Sequence, residues 1–401
     1  MKHSVDDLAL FGGAAEFDEP VHVGRPNIGN RQRLLERMQE LLDRRWLSND
    51  GPLVREFETR IAERLGVRHC VATSNGTVAL EIAVRAAGMS GEVLVPSFTF
   101  IATVHALQWQ GIVPVFCDID PGTHTLDVSR LEARITPRTK GIVGVHLWGR
   151  ACDVTGIEAL AKRYNLPVIY DAAHAFGCSS GGRMIGGFGR AEVLSFHATK
   201  FINSFEGGAI VTNDDQFAGH SRQMRNFGFV GYDNVVELGT NGKLNEACAA
   251  MGLTSLESFD EFVAANRRNY QAYVSQLRGI AGLSVIHYDE RELNNYQYVV
   301  LEVSDDLPLS RDDLIRLLFA EQVLARRYFY PGCHRMEPYK ALHPAAGRHL
   351  PQTEAVCRRV LSLPTGTATS LVDIERICRL LSFLLQNGET IRRRMNNRAA
   401  S

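Results

Sequence analysis

"SFHATKFINSFEGGAIVTND", Ser195–Asp214, sets a single lysine, Lys200, between two apolar runs, with Glu206-Gly207-Gly208 shortly after it. The runs "EVLSFHATK" and "GAIVTND" read as two β-strands. Most lysines are solvated, and by itself this one reads as a surface residue at a strand end. A second role is open to it. Burial lowers the pKa of an amine and exposes a nucleophilic lone pair that can carry a cofactor. The rest of the chain decides between the two.

Working outward, the pattern upstream alternates. "CVATS" reads as a strand and "GTVALEIAVRAAG" as a helix ending at glycine. "EVLVP", "VPVFCDID", "GIVGVHLWG" and "PVIYDAAH" read as further strands, separated by helical "ATVHALQWQG", "DVSRLEARI" and "GIEALAKRYN". Two helices precede them. One spans about Asn30–Arg45, with Leu34, Leu35, Met38, Leu41 and Leu42 at helical spacing. The next opens at Pro52, aligns Phe57, Ile61 and Leu65, and stops at Gly66. Short apolar strands alternating with amphipathic helices predict an α/β layer with a largely parallel sheet covered on both faces. Near residue 250 the pattern changes to helical "FDEFVAANRRNYQAYVSQL", strand-like "YQYVVLEV", and helices around "DDLIRLLFAEQ" and "DIERICRLLSFLL". The expected division is residues 1–260, a large α/β domain with an N-terminal arm, and residues 261–401, a smaller α+β domain.

Composition narrows the function classes. The 401 residues are 45% hydrophobic and 22% charged, with a formal net charge of -1. That balance lacks the basic footprint of a nucleic-acid binder. No apolar run is long enough to span a bilayer, and the start lacks a signal-peptide pattern, so a cytoplasmic protein is expected. The eight cysteines are scattered without a CxxC pair and read as reduced core thiols; no metal site is expected. The basic end, "ETIRRRMNNRAAS", reads as a solvated, frayed tail.

Three sites then line up. "SNGTVAL", Ser74–Leu80, runs from strand end to helix start, where unpaired amides form a phosphate site; Gly76 lets the ligand approach and Thr77 adds a hydroxyl. Singly, this is also a common tight connection. In "YDAAHAFG", Asp171 ends an apolar strand, where an open α/β sheet places its ligand chemistry, with His174 three residues on. Singly, Asp171 is also a strand-end cap and His174 a structural histidine. Lys200, with Ser195 before it on the same strand, is the third. Together they are the parts needed for pyridoxal 5'-phosphate (PLP). The amine holds the aldehyde, the carboxylate keeps the pyridine nitrogen protonated, and the ring becomes an electron sink.

At this point the chain resembles the sugar aminotransferases of the DegT/DnrJ/EryC1/StrS family. The resemblance runs through "LSNDGPLVREFE", "VATSNGTVALEIA", "VPSFTFIATVHAL", "PVFCDIDPGTHTLD", "ITPRTKGIVGVHLWG", "YDAAHAFG", "SFHATK…EGGAIVTND" and "YFYPGCHRMEPY". It implies a fold-type I, aspartate aminotransferase-like PLP enzyme with a seven-stranded, mostly parallel sheet. It implies that Lys200 holds the cofactor and moves the proton, that Asp171 pairs with the pyridinium, and that His174 contacts the phenolic oxygen. Phe100 would stack on the ring, and Gly76, Thr77 and Ser195 would hold the phosphate. Asn241, in "GTNGKLNE", would reach the phosphate of a neighbouring subunit's cofactor, so a homodimer with shared active sites is expected.

The resemblance is imperfect at Tyr170, where relatives often carry an acid, at Lys243, where many carry arginine, and in "TNG" around Asn241. A dehydratase branch replaces the lysine with histidine, so Lys200 points to transamination. L-glutamate is the implied amine donor and dTDP-4-dehydro-6-deoxy-D-glucose the implied acceptor, aminated at C4 to dTDP-4-amino-4,6-dideoxy-D-glucose in deoxyaminosugar or antibiotic biosynthesis. The galacto epimer and a C3 aminotransferase are the alternatives, and a PLP-fold regulator is the non-enzyme one. "VHVGRPNIGN" and the loop with Phe227, Phe229 and Tyr232 are candidates to line the substrate pocket.

Overall fold

Seven strands form the central sheet of the computed structural model, which describes residues 2–400. They are β1 (His69–Thr73), β2 (Glu92–Pro96), β3 (Val113–Cys117), β4 (Thr139–Val145), β5 (Val168–Asp171), β6 (Ala191–Ser195) and β7 (Gly208–Thr212). The order across the sheet is β1-β7-β6-β5-β4-β2-β3. β7 runs antiparallel to both neighbours, and the other pairings are parallel. This is the mostly parallel sheet expected from the sequence.

Side chains alternate across a strand, and here both faces are apolar. Val93, Val95, Val143, Ile169, Val193 and Ile210 share one core with helix residues Ala79, Leu80, Val104 and Leu107. Leu94, Ile142, Tyr170, Leu194 and Ala209 share the opposite core with Phe57, Ile61 and Leu65. The helices concerned are α1 (Arg31–Arg44), α2 (Pro52–Leu65), α3 (Gly76–Ala86) and α4 (Ile101–Gln108). α1 starts where the Asn30 side chain accepts from Arg33 N. α2 starts at Pro52, whose missing amide costs nothing there, and ends at Gly66 with φ +65°. Leu35 and Leu42 of α1 remain exposed, so its apolar stripe is wider than the surface the chain itself covers.

A second core gathers around three antiparallel strands, β8 (Leu283–Val285), β9 (Val299–Val303) and β10 (Val360–Leu363). α5 (Phe259–Leu277) and α6 (Leu371–Gln386) pack on it through Tyr273, Leu277, Ile374, Ile377 and Leu381. The N-terminal segment belongs here too. Leu8, Phe17 and Val21 are buried in this core, and Val21–His22 pairs in parallel with Val323–Leu324. The buried Glu321 carboxylate pins the segment, taking the Lys2 ammonium and the amides of Ala9 and Glu16, each at 2.7 Å.

Two expectations are corrected. β6 ends at Ser195, so Lys200 is not on that strand. The chain folds back at once, with Lys200 N donating to His197 O and Ser204 N to Phe196 O, both at 2.8 Å. The basic end is not a solvated tail. It forms α7 (Gly388–Ala400), with Ile391 and Met395 in the second core while two of its arginines meet the N-terminal segment, Arg394 bonding Asp6 and Arg398 bonding Leu10 O. The charge count hid an apolar pair at helical spacing.

The cysteines are all free thiols, and all but Cys248 are buried. Among the described residues, no group of three or more His, Cys, Asp or Glu could hold a metal, and no helix is long and apolar enough to cross a membrane. Replacing the buried Ile391 with alanine should lower stability by about 2–5 kcal/mol, read as a lower urea midpoint. An unmoved midpoint would return this segment to a solvated tail.

Candidate active site

Alternation also places the polar residues. Ile169 and Val193 face α3, so Asp171 and Ser195, two positions on, face the same side at the carboxyl ends of β5 and β6. There they meet the start of α3 in a cavity of about 360 Å³. Gly76, Thr77, Phe100, Asp171, His174, Ser195 and Lys200 all line it. Asn241 does not. It is exposed on another segment, bridged to Asn226.

At the head of α3 the Asn75 side chain caps Val78 N at 2.9 Å. The amides of Gly76 and Thr77 have no acceptor inside the helix and suit an anion. Gly76 also keeps the turn close to β6, since a Cβ there would lie 3.1 Å from Ser195 Cβ.

Asp171 is buried. One oxygen accepts from Thr103 Oγ1 at 2.7 Å and the other from Ala173 N at 3.0 Å. Thr103 Oγ1 is also 3.0 Å from Thr99 Oγ1. This fixes the carboxylate while leaving it lone pairs for a cationic ligand.

Lys200 is half-buried in the wall. Loss of solvent pulls its ammonium down to about 8, against the opposing pull of the Asp171 carboxylate. His174 is buried between aromatic rings, with the Tyr298 centroid at 4.3 Å and Phe329 at 5.9 Å. Burial first, then the charge of Lys200, hold it well below the usual histidine range. Its Nδ1 is buried without a hydrogen-bond partner. A neutral imidazole with an orphaned nitrogen at a cavity wall is suited to a polar ligand atom.

Phe100 precedes α4 in the wall, half exposed, 6.5 Å from the Phe329 ring. Val23, Gly24, Arg25 and Asn27 of "VHVGRPNIGN" also line the cavity, whereas Phe227, Phe229 and Tyr232 lie outside it. Tyr170 faces away and stacks on His146 at 5.0 Å; Lys243 Nζ donates to Asn226 Oδ1 at 3.0 Å. Gln297 had no signal in the motifs, whereas Asn27 lies in the candidate stretch. Asn27 is buried and donates to Phe201 O at 3.1 Å, and Gln297 donates to Thr199 O at 2.8 Å. Both brace the loop that carries Lys200.

A nucleophilic amine, a fixed carboxylate and an anion-binding helix end around one cavity suit a phosphorylated carbonyl cofactor. Comparison with known proteins bears on this directly. Residues 29–382 match the model of the DegT/DnrJ/EryC1/StrS aminotransferase family. The chain belongs to this family. Its aminotransferases are PLP-dependent. Among its relatives, the dTDP-4-amino-4,6-dideoxy-D-glucose transaminase of Shigella dysenteriae is 37% identical over 361 residues, 90% of this chain and 98% of that protein. The crystal structure of DesI in the presence of its TDP-sugar product is 49% identical, with a TM-score of 0.94 over 98% of this chain and 100% of that one. NtdA from Bacillus subtilis with bound cofactor PMP is 28% identical, with a TM-score of 0.82 over 90% of this chain and 83% of that one.

Because burial disfavours the ammonium, the reactive amine fraction of Lys200 should rise through a pH of about 8. Labelling by trinitrobenzenesulfonate at increasing pH, quantified at Lys200 by mass spectrometry, checks this. A midpoint at the ordinary lysine value would remove the desolvated amine.

Proposed function

We propose that this chain uses PLP to move an amino group from L-glutamate to C4 of dTDP-4-dehydro-6-deoxy-D-glucose, giving dTDP-4-amino-4,6-dideoxy-D-glucose. The observation that carries the reading is the meeting of Lys200, Asp171 and the α3 amino end on one cavity. The sugar rests on similarity to the Shigella transaminase and to DesI.

The residues present fit the cofactor. The free Gly76 and Thr77 amides and Ser195 suit its phosphate, and the orphaned His174 Nδ1 suits its phenolic oxygen. Asp171 suits a pyridinium nitrogen, with Thr103 and Ala173 holding it in place. Phe100 supplies a ring to stack against the cofactor. Bound PLP supplies the aldehyde that exchanges amines and the electron sink that stabilises a carbanion.

Lys200 Nζ is the nucleophile that would hold the cofactor's aldehyde carbon. Its amine, lowered to about 8, would be the group that holds and moves the proton at the donor's α-carbon. The same amine would serve as the proton carrier when the keto-sugar is bound. Tyr298, Phe329 and Trp148 close one side against water. Asn241, exposed and outside its own chain's cavity, would hold the cofactor phosphate of a second subunit, which would make the working unit a homodimer with shared sites.

The test supplies PLP, L-glutamate and dTDP-4-dehydro-6-deoxy-D-glucose, follows cofactor absorbance, and assigns the product by NMR. An equatorial C4 amine is expected. An axial amine gives the galacto product, and no aminated sugar overturns the substrate. Lys200→Ala should keep the fold and lower turnover by at least about 10²–10⁴; undiminished product formation would remove its role. Asn241→Ala should weaken PLP retention, and unchanged affinity on titration would reject the cross-subunit contact.

A further inference from the structure

Arg25 and Arg326 line the cavity that holds Lys200 and Asp171. They arrive on adjacent segments. Val21–His22 pairs with Val323–Leu324, and Val23 N continues the ladder to Leu324 O at 3.3 Å. The two segments run from there directly into Arg25 and Arg326.

Both backbones are held. Beyond Arg25, the Asn27 side chain bonds Phe201 O at 3.1 Å and Thr367 N at 3.0 Å. Before it, Gly24 packs so closely on Thr199 that an added Cβ would sit 3.1 Å from Thr199 Cβ. Arg326 exchanges two backbone hydrogen bonds with Ser362, at 3.0 and 2.8 Å. The guanidinium groups are different. Neither has a hydrogen bond or ion pair to any described residue, whereas nearby Arg311 and Arg327 share Asp312 at 2.8 and 3.1 Å. The acids of the cavity are engaged elsewhere, Asp171 with Thr103 and Ala173, and Glu206 at 3.5 Å from His197.

Two unpaired guanidinium groups on fixed backbone, in the wall of one cavity, form a receptor for carboxylate or phosphate oxygens. We propose that Arg25 and Arg326 are one anion clamp that serves both substrates in turn. It takes the diphosphate of the nucleotide sugar in one half-reaction and the carboxylates of the amine donor in the other. This rests on the aminotransferase reading above. Two unlike molecules must each reach Lys200, and what they share is anionic oxygen. At about 360 Å³ the cavity is near the small end of ligand pockets, which run from roughly 300 to 1,000 Å³. The two molecules therefore take turns, and one clamp is enough.

The test uses PLP-loaded protein with two probes, dTDP and L-glutamate. Calorimetric titration reads dTDP affinity, and the glutamate dependence of cofactor bleaching reads the donor half-reaction. R25Q and R326Q should each weaken both probes by roughly tenfold or more, with the limiting bleaching rate unchanged. R326K should recover only part of the loss, because an ammonium cannot bond bidentately. Loss toward one probe alone would overturn the shared clamp, and variants equal to wild type would remove the site. Wild-type protein that neither binds dTDP nor bleaches with glutamate would overturn the functional reading and the clamp with it.

Discussion

The approach of β7 to the peptide between Asn75 and Gly76 is the contact on which the site depends. A Cβ on Gly208 would lie 2.5 Å from the Asn75 carbonyl carbon and 2.6 Å from Gly76 N. Backbone cannot yield there as a flexible side chain would, so only glycine permits the spacing. Through this contact the antiparallel strand between β1 and β6 draws the amino end of α3 against Ser195. The same strand sets the far end of the Lys200 loop, because the chain leaves β6 at Ser195 and must re-enter at Gly208. The anion site and the amine are therefore placed by one close approach. Asp171 enters from β5, the next parallel strand.

Electrostatics follow from this placement. Lys200, His174 and Asp171 share a poorly solvated part of the wall. Lys200 and His174 each lose charge stabilisation on burial, and the charge of Lys200 presses His174 further down. Asp171 alone offsets the cost for the amine. The result is an amine that gives up its proton at about 8 instead of the ordinary lysine value, and a neutral imidazole beside it. A perturbed pair of this kind in a cleft marks a functional site more often than a structural one.

Much of this was legible in the sequence because it is local. Strand ends, glycine turns and helical spacing are short-range signals, and they located Gly76 at a helix start and Asp171 at a strand end. The largely parallel sheet covered on both faces rests on the same alternation. What stayed hidden is set by contacts between distant segments. Thr103 reads as one more residue of an apolar helix, and only packing under β5 turns its hydroxyl to Asp171. Asn27 lies in a stretch that reads as loop, yet it is buried because Phe201 and Thr367 converge on it. The placement of Lys200 on a strand failed for the converse reason: "SFHATK" continues a β-like pattern past Ser195, but the reversal into β7 needs those residues for the turn. The terminal helix was obscured by its arginines, although Ile391 and Met395 carry its packing.

The cavity divides its work between the two halves of the chain. The groups suited to bond-making come from the ends of β1, β5 and β6. Much of the remaining wall comes from elsewhere: Tyr298 and Phe329 lie beyond α5, and Val23 to Asn27 come from the N-terminal segment. That segment holds its position through Glu321, a buried carboxylate with three partners. Removing one partner of such a group leaves a charge or an amide unpaired, which costs far more than a surface ion pair is worth. The anchor is thus strong, and Glu321 is not itself part of the cavity wall. Substitutions in the wall can alter which sugar or donor is admitted without touching Lys200, Asp171 or the α3 amides. This separation lets one arrangement of amine, carboxylate and helix end serve many acceptors.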